Sequence, residues 1–146
     1  MSMSNASETA LLELLFKNTA WANVGDTSGL QPSASAGSLY VSLHTSDPGE
    51  AGTQSTNEIS YTGYARVAVA RSGSGWTVSG NQVSNAGTIT FGECTAGSGT
   101  ATHFAVGVAT SGSTAILFSG SLSSSRSISS GITPLFNAGA LTGTVD

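Results

Sequence analysis

The strongest constraint on the fold is a series of short stretches after Ser38 in which apolar and polar residues alternate. Three of them, SLYVSLH, YARVAVAR and THFAVGVA, have period two, with apolar positions at Leu39, Val41, Leu43, Ala65, Val67, Val69, Phe104, Val106 and Val108. This period is typical of a strand with one buried face. The stretches recur roughly every 8–14 residues, with Gly- and Ser-rich turns between them. The pattern predicts a chain built almost wholly of β-strands.

Weaker strands are predicted at GWTVSG, NQVSN, TITFGE, AILFSGSL, SSRSISS and ALTGTVD. The short spacing leaves no room for the long crossovers that parallel strands require. We therefore predict a mainly β fold, an antiparallel β-sandwich of jelly-roll-like form with one N-terminal α-helix. The chain has 146 residues and is expected to form a single domain, 1–146.

The N-terminal helix is predicted at about residues 6–21. Asn5, with Glu8 three residues later, is typical of a capping box at the start of a helix. Apolar residues then follow at helical spacing, namely Leu11, Leu12, Leu15 and Phe16. This stripe either packs on the chain's own sheet or docks in part on a neighbouring subunit, so its four residues are interface candidates. A loop over 22–37 leads to the sandwich at 38–146.

Composition excludes several classes of function. Only 8% of the residues are charged and the net charge is −4, with four basic residues that are scattered along the chain. Nucleic-acid binding needs clustered Lys and Arg, so we predict no nucleic-acid partner. No apolar run approaches the roughly 18 residues of a membrane span, so no membrane partner is predicted either. The N-terminus lacks the positive charge of a signal peptide, which indicates a protein made in the cytoplasm.

The segment LHTSDPGEAG at residues 43–52 concentrates groups that are scarce elsewhere in the chain. Strand parity predicts that Leu43 faces the core, together with Leu39 and Val41, and that His44 ends the strand on the opposite face. A metal site would need three or four converging ligands, and the other histidine, His103, lies in a different strand. We therefore interpret both as ordinary strand histidines.

The residues after His44 favour a turn and a long polar loop. Asp47-Pro48-Gly49 has strong turn chemistry, because Asp caps its own backbone, Pro presets φ and Gly accepts a positive φ. The loop over 45–58 is longer than a hairpin connection and is rich in hydrogen-bonding side chains. We predict that it acts in assembly and carries no chemistry. Its interface candidates are Asp47, Pro48, Gly49 and Glu50.

No catalytic or cofactor motif is apparent in the sequence. The glycine pairs do not match phosphate-binding loops, and the eight acids are dispersed. Cys94 is the only cysteine, so no disulfide framework is possible, and we interpret it as a small buried residue. We predict that the chain is not an enzyme and binds no metal or cofactor. Tyr61, Tyr64 and Trp76 keep a carbohydrate-binding module open as a minor alternative, although packing roles are favoured.

Four motifs carry a resemblance to a known family. They are LHTSDPG, GYAR, THF and AGAL, and the resemblance extends over the stretches SLYVSLHTSDPGEAGTQSTNEISYTGYARVAV, GWTVSGNQVSNAGTITF, THFAVGVAT and ITPLFNAGALTGTVD. In this order they resemble a family of small virion structural proteins of tailed phages and prophages, from about residue 5 to the C-terminus. Where this chain has THFAVGV, relatives often place a Gly directly after the Phe. The family contributes no active-site residues.

The resemblance implies a bacteriophage virion protein made in the bacterial cytoplasm. The leading expectation is a capsid decoration, or cement, protein on the capsid surface that binds and stabilises the shell. Its expected partners are the major capsid protein and other copies of itself. The alternative is a structural or adhesion protein associated with the tail or tail fibre.

Overall fold

A computed structural model describes residues 2–146 of the chain. The fold is mainly β, with 39% of residues in strands or isolated β-bridges and 9% in a helix. The elements in chain order are α1 (Asn5–Lys17), β1 (Ser38–His44), β2 (Val67–Ala70), β3 (Trp76–Ser79), β4 (Gln82–Asn85), β5 (Ile89–Thr90), β6 (Ser98–Gly107), β7 (Ile116–Ser129), β8 (Leu135–Phe136) and β9 (Thr142–Thr144). The described residues contain no second helix, as predicted.

The strands form three sheets. One has four strands in the order β2-β1-β6-β7, one has three in the order β3-β4-β9, and one pairs β5 with β8. The pairs β1–β6, β6–β7, β3–β4, β4–β9 and β5–β8 are antiparallel. The predicted class, an antiparallel β-sandwich with one N-terminal helix, is confirmed at this level, and the jelly-roll-like form stays a prediction.

The chain divides into two compact units, and each contains separate segments of the sequence. The first unit comprises the residues up to Ser38 together with Ala70–Gly87 and Ala138–Asp146, and the second comprises Leu39–Val69 and Thr88–Asn137. The chain thus passes between the units four times. The single domain of 1–146 stays a prediction.

Helix α1 belongs to the first unit; it begins within one residue of the predicted start, but the predicted end at about residue 21 was wrong. Its N-cap is Ser4, whose side chain accepts a hydrogen bond from the Ser7 amide at 3.3 Å, so Asn5 is the first helical residue. The helix ends at Lys17 because Asn18 adopts a left-handed conformation with φ 56°. The Asn18 side chain holds this geometry by exchanging two hydrogen bonds with the backbone of Ser33, both at 2.9 Å.

The helix packs on the three-stranded sheet through its apolar stripe. Leu12 and Phe16 have no exposed surface, and the Phe16 ring meets Trp76 edge-on at 4.9 Å. Arg71 closes the C-terminal end of the helix, donating to the carbonyls of Leu14 at 2.8 Å and Leu15 at 2.7 Å. A cation there also complements the helix dipole. The stripe therefore builds the core of its own unit.

The core of the second unit follows the predicted alternation in β1 and β6. Leu39, Val41 and Leu43 are buried as predicted, and so are Phe104 and Val106. The prediction was wrong at the ends of two stretches. Val108 is exposed because β6 ends at Gly107, and Ala65 is exposed because it precedes β2. Val67 and Val69 are half-buried.

Strand β7 is one long strand where the sequence predicts two. Its register against β6 shifts between Ala101, which faces Arg126, and His103, which faces Ser121. Residues 122–125 therefore form a bulge opposite a single residue of β6. The bulge lies where the predicted strands AILFSGSL and SSRSISS were separated. Strand β8 was not predicted, because only two residues follow Pro134 before the chain turns away.

Candidate functional site: a loop held by a buried polar network

The loop over 45–58 begins with the predicted turn. The Gly49 amide donates to the Asp47 carboxylate at 2.8 Å, and Gly49 has φ 72°, which a residue with a Cβ resists. The Asn57 side chain donates to the Asp47 carbonyl at 3.1 Å and ties the turn to the end of the loop. Asp47, Gly49 and Glu50 are exposed and Pro48 is buried. We call the exposed part, residues 45–52, the loop tip.

The remaining part of the loop, residues 53–58, covers the second face of β1, and we call it the loop base. Ser42 and His44 lie on that face, as predicted, and both are completely buried. Gln54 is also completely buried and donates to the Tyr40 carbonyl at 3.0 Å. Strand β1 is therefore buried on both faces, which its alternating sequence did not indicate.

His44 is hydrogen-bonded through both ring nitrogens. Nδ1 lies 2.8 Å from the Thr56 carbonyl, which can only accept, so Nδ1 carries the proton. Nε2 of the neutral ring then accepts from the Ser42 hydroxyl at 2.9 Å. Burial lowers the pKa of His44 below its usual value, and the bond to Thr56 opposes part of this shift. The ring thus connects the loop base to β1 in its neutral form.

The two histidines are closer than the sequence suggested. His44 of β1 and His103 of β6 face each other across the two paired strands. No third ligand joins them, and within residues 2–146 no three His, Cys, Asp or Glu side chains are grouped to hold a metal ion. Cys94 is completely buried, as predicted, and its Sγ donates to the carbonyls of Ala96 and Gly97.

An ion pair between Arg66 and Glu58 lies at the centre of the network. The guanidinium donates two parallel hydrogen bonds to the carboxylate, from Nε and from Nη2, each at 2.7 Å. The Arg66 side chain is 2% exposed and that of Glu58 is 16% exposed. The bonds to Glu58 raise the pKa of Arg66. Burial raises the pKa of Tyr64, whose hydroxyl donates to the same carboxylate at 2.9 Å.

Arg66 also holds a second loop, at residues 109–114. It donates to the carbonyls of Ala109 at 3.2 Å and Gly112 at 2.9 Å. Thr114 of this loop donates to Gln54 at 2.9 Å, so the loop base, Arg66 and residues 109–114 form one hydrogen-bonded unit. A groove of about 330 Å³ beside it is lined by Glu58, Tyr64, Ala65, Arg66, Thr110, Ser111 and Gly112.

The network around Arg66 and Glu58 holds the loop base and residues 109–114 in place. Each guanidinium nitrogen of Arg66 donates within the chain, and Glu58 accepts from both Arg66 and Tyr64. The sequence did not reveal it, because Arg66 occupies a polar position of YARVAVAR where parity predicts exposure. The only available signal was the rarity of basic residues, of which the chain has four.

The interface candidates are distributed over both units. Leu12 and Phe16 are core residues without exposed surface, whereas Leu11 and Leu15 are half-buried. The four candidates of the loop tip belong to the second unit. Of these four residues, only Pro48 is buried. An interface role for the partly exposed candidates stays a prediction.

The aromatic residues considered for sugar binding pack inside the protein. Tyr61 and Trp76 are buried, and the Tyr61 hydroxyl donates to the Gly92 carbonyl at 2.9 Å. The Tyr64 ring meets Tyr61 edge-on at 5.4 Å and stacks on Phe91 at 6.1 Å. The buried Tyr61 and Trp76 thus lack the open face on which a sugar would stack, and the half-buried Tyr64 packs on two other rings, which supports the predicted packing role.

Comparison with known families places this architecture in a biological setting. The model of a family described as "Podophage GP4 fiber I protein gp80" matches residues 2–144. Comparison with curated proteins gave no match. Across residues 2–146, the single helix is too short and too polar to span a membrane.

Proposed function

Because the chain belongs to the podophage GP4 fiber I protein gp80 family, we propose that it is a structural component of a phage tail fibre. The family match covers 2–144 and makes the chain a phage virion structural protein. The family description favours the tail-fibre alternative over the capsid decoration protein expected from the sequence. The carbohydrate-binding module has no support from the buried aromatic rings.

The loop tip is the surface that we assign to assembly. It is exposed, and the buried network beneath it keeps the loop base in one conformation. A loop that is ordered before binding loses less conformational entropy when it meets a partner. We expect the partners to be other copies of this chain and neighbouring fibre proteins. The major capsid protein would be the partner only if the protein decorated the shell.

Location and copy number in the virion test this proposal. Quantitative mass spectrometry of purified virions should find roughly tens of copies or fewer, because a fibre has few symmetry-related positions. Gold-labelled antibodies should bind at the tail in electron micrographs. Hundreds of copies with labels distributed over the shell would overturn the fibre assignment and restore capsid decoration.

A further inference from the structure

The last strand of the four-stranded sheet has an edge without a partner. Strand β7 follows β6 at the end of the order β2-β1-β6-β7, and within residues 2–146 it pairs with β6 alone. It has 14 residues, whereas β2 at the opposite edge of the sheet has four. We call the unpaired side of β7 the outer edge, and all of it belongs to the second unit. The fold therefore leaves one side of a long strand open.

The pairing of β1 with β6 fixes the direction of the backbone groups in the sheet. The Leu43 amide donates to the Tyr64 hydroxyl at 3.1 Å, and the Leu43 carbonyl accepts from the Ile59 amide at 2.9 Å. Both backbone groups of Leu43 are thus used on the side away from β6. Leu43 lies opposite Phe104, and two such residues of an antiparallel pair direct their backbone groups away from each other. The amide and carbonyl of Phe104 therefore point toward β7.

The same argument assigns the backbone groups of β7. Gly120 lies opposite Phe104, so its amide and carbonyl point toward β6. Because the direction alternates along a strand, the amides and carbonyls of Ser119 and Ser121 point to the outer edge. No residue in the described chain, 2–146, forms a hydrogen bond with these four groups. Both serine side chains are also exposed. The outer edge thus offers two donors and two acceptors to another extended strand.

The outer edge lacks most of the features that keep strand edges from pairing. Natural edges are protected by charged side chains, by proline, by short strands or by bulges. The sequence from Ile116 to Ser125 contains neither a charged residue nor a proline. The bulge at residues 122–125 lies beyond the outward-pointing serines, and the stretch Phe118–Ser121 before it pairs with β6 in regular register. This regular stretch can therefore accept a further strand.

We propose that the outer edge pairs with the outer edge of a second copy of this chain. The two β7 strands run antiparallel about a two-fold axis at Gly120, so Ser119 of each copy lies opposite Ser121 of the other. Each of these pairs exchanges two N–H···O bonds, which satisfies all the outward-pointing groups. The four-stranded sheets of the two copies then form one continuous sheet. This contact is separate from the loop tip, and it does not depend on where the protein lies in the virion.

The residues around Gly120 suit a contact between identical chains. At a two-fold axis each residue lies close to its own copy, so a charged side chain there would meet a like charge. Gly120 has no side chain, and the neutral hydroxyls of Ser119 and Ser121 can hydrogen-bond one another across the contact. Arg126 is the only charged residue of β7 and lies beyond the bulge, so the two guanidinium groups are on opposite sides of the axis. The outer edge is therefore self-complementary.

Sedimentation equilibrium of the full chain over a range of concentrations tests the proposal. We expect a monomer–dimer equilibrium, and the amides of Ser119 and Ser121 should exchange hydrogen more slowly as the dimer forms, as measured by NMR. Ser119→Lys and Ser121→Glu should each weaken the dimer by about fivefold or more, because each places like charges on both sides of the axis. The matched control is Ala68→Lys, at an exposed position of β2 on the opposite edge of the sheet, which should dimerise as the wild type does.

Mixing the two charged variants gives a result that a folding defect cannot imitate. In a mixed dimer the new ammonium group of Ser119→Lys lies opposite the new carboxylate of Ser121→Glu, so the mixture should associate more tightly than either variant alone. The proposal is overturned if the wild type stays monomeric, if neither variant weakens its dimer, or if Ala68→Lys weakens it equally. Should a variant fail to fold, the wild type still decides, because exchange at Ser119 and Ser121 that does not depend on concentration contradicts the pairing.

Discussion

At the residue scale, the Arg66–Glu58 pair connects three parts of the second unit. Glu58 belongs to the loop base, Arg66 precedes β2, and the Gly112 carbonyl belongs to the loop over 109–114. A buried ion pair contributes less net stability than its short bonds suggest, because both charges lose water. Removing one partner is a different matter, since it leaves the other charge poorly solvated.

The first prediction concerns the cost of removing one partner of this ion pair. Arg66→Met should lower the free energy of unfolding by about 3–5 kcal/mol, because Glu58 loses both of its guanidinium hydrogen bonds. Urea unfolding measures the change. The matched control is Arg126→Met, since Arg126 is exposed and its guanidinium carbon lies 5.9 Å from the centre of the Phe136 ring, and it should cost no more than about 1 kcal/mol. The double variant Arg66→Met/Glu58→Met should recover part of the loss. If Arg66→Met were as stable as the control Arg126→Met, the pair would not hold the loops.

The second prediction concerns His44. Its pKa is lowered in the folded state, so between that value and the unfolded value of about 6.5 the unfolded chain binds more protons. The contribution of His44 to stability is thus complete above about pH 6.5 and is lost as the pH falls through the lowered pKa. Urea unfolding from about pH 8 to about pH 5 should show this loss.

Two variants isolate the His44 contribution from that of the carboxylates. His44→Gln should flatten the dependence of unfolding free energy on pH in this window. His103→Gln, which changes the half-buried histidine on the paired strand, should retain most of it. If both variants show the wild-type slope, His44 does not titrate as its burial implies.

At the scale of elements, the loop over 45–58 behaves as two parts. The loop base is a structural layer over β1, because Gln54 and Thr56 bind the strand. Its fit depends on Gly107 at the end of β6. A Cβ at Gly107 would approach the Gln54 side chain to 2.0 Å, so only glycine leaves room for this glutamine.

The third prediction follows from that close approach. Gly107→Ala should displace Gln54 and cost about 1–3 kcal/mol. Hydrogen exchange of the amides over residues 53–58 should become faster in the variant. Gly87→Ala is the control, because a Cβ there meets open space, and it should be neutral or slightly stabilising. Unchanged exchange in Gly107→Ala would indicate that the loop base does not depend on this contact.

The elements could be predicted from the sequence to the extent that they depend on local pattern. Period-two alternation located β1 and most of β6, and turn chemistry located Asp47-Pro48-Gly49. The burial of His44 depends on a loop that folds back over β1 from twelve residues away, and parity contains no such information. The burial of Arg66 likewise depends on Glu58 and on a distant loop. Helix α1 ended early because Asn18 favoured a cap that a pattern of apolar residues does not encode.

At the scale of the whole molecule, the distribution of charge limits how copies can associate. The chain has four basic side chains. Lys17 pairs with Glu13, Arg66 pairs with Glu58, and Arg71 binds the end of the helix. Few basic side chains are thus left to form ion pairs with the acidic residues of another subunit. Assembly through the loop tip should depend mainly on shape, apolar contact and neutral hydrogen bonds.

The last prediction is that attachment of this protein to the fibre is insensitive to salt and sensitive to the turn. Raising NaCl from about 0.1 M to about 1 M shortens the screening length to roughly 3 Å, which would release a subunit held by charge. We expect the amount retained on purified particles to change little, as measured by quantitative immunoblotting. Replacing Asp47-Pro48-Gly49 with Gly-Ser-Gly should leave urea unfolding cooperative but reduce incorporation, because the tip loses its fixed conformation. Asp47→Asn should incorporate normally, since an amide oxygen still accepts from Gly49 while the charge is removed. Loss of incorporation in Asp47→Asn, or release at high salt, would instead assign the attachment to the charge of the tip.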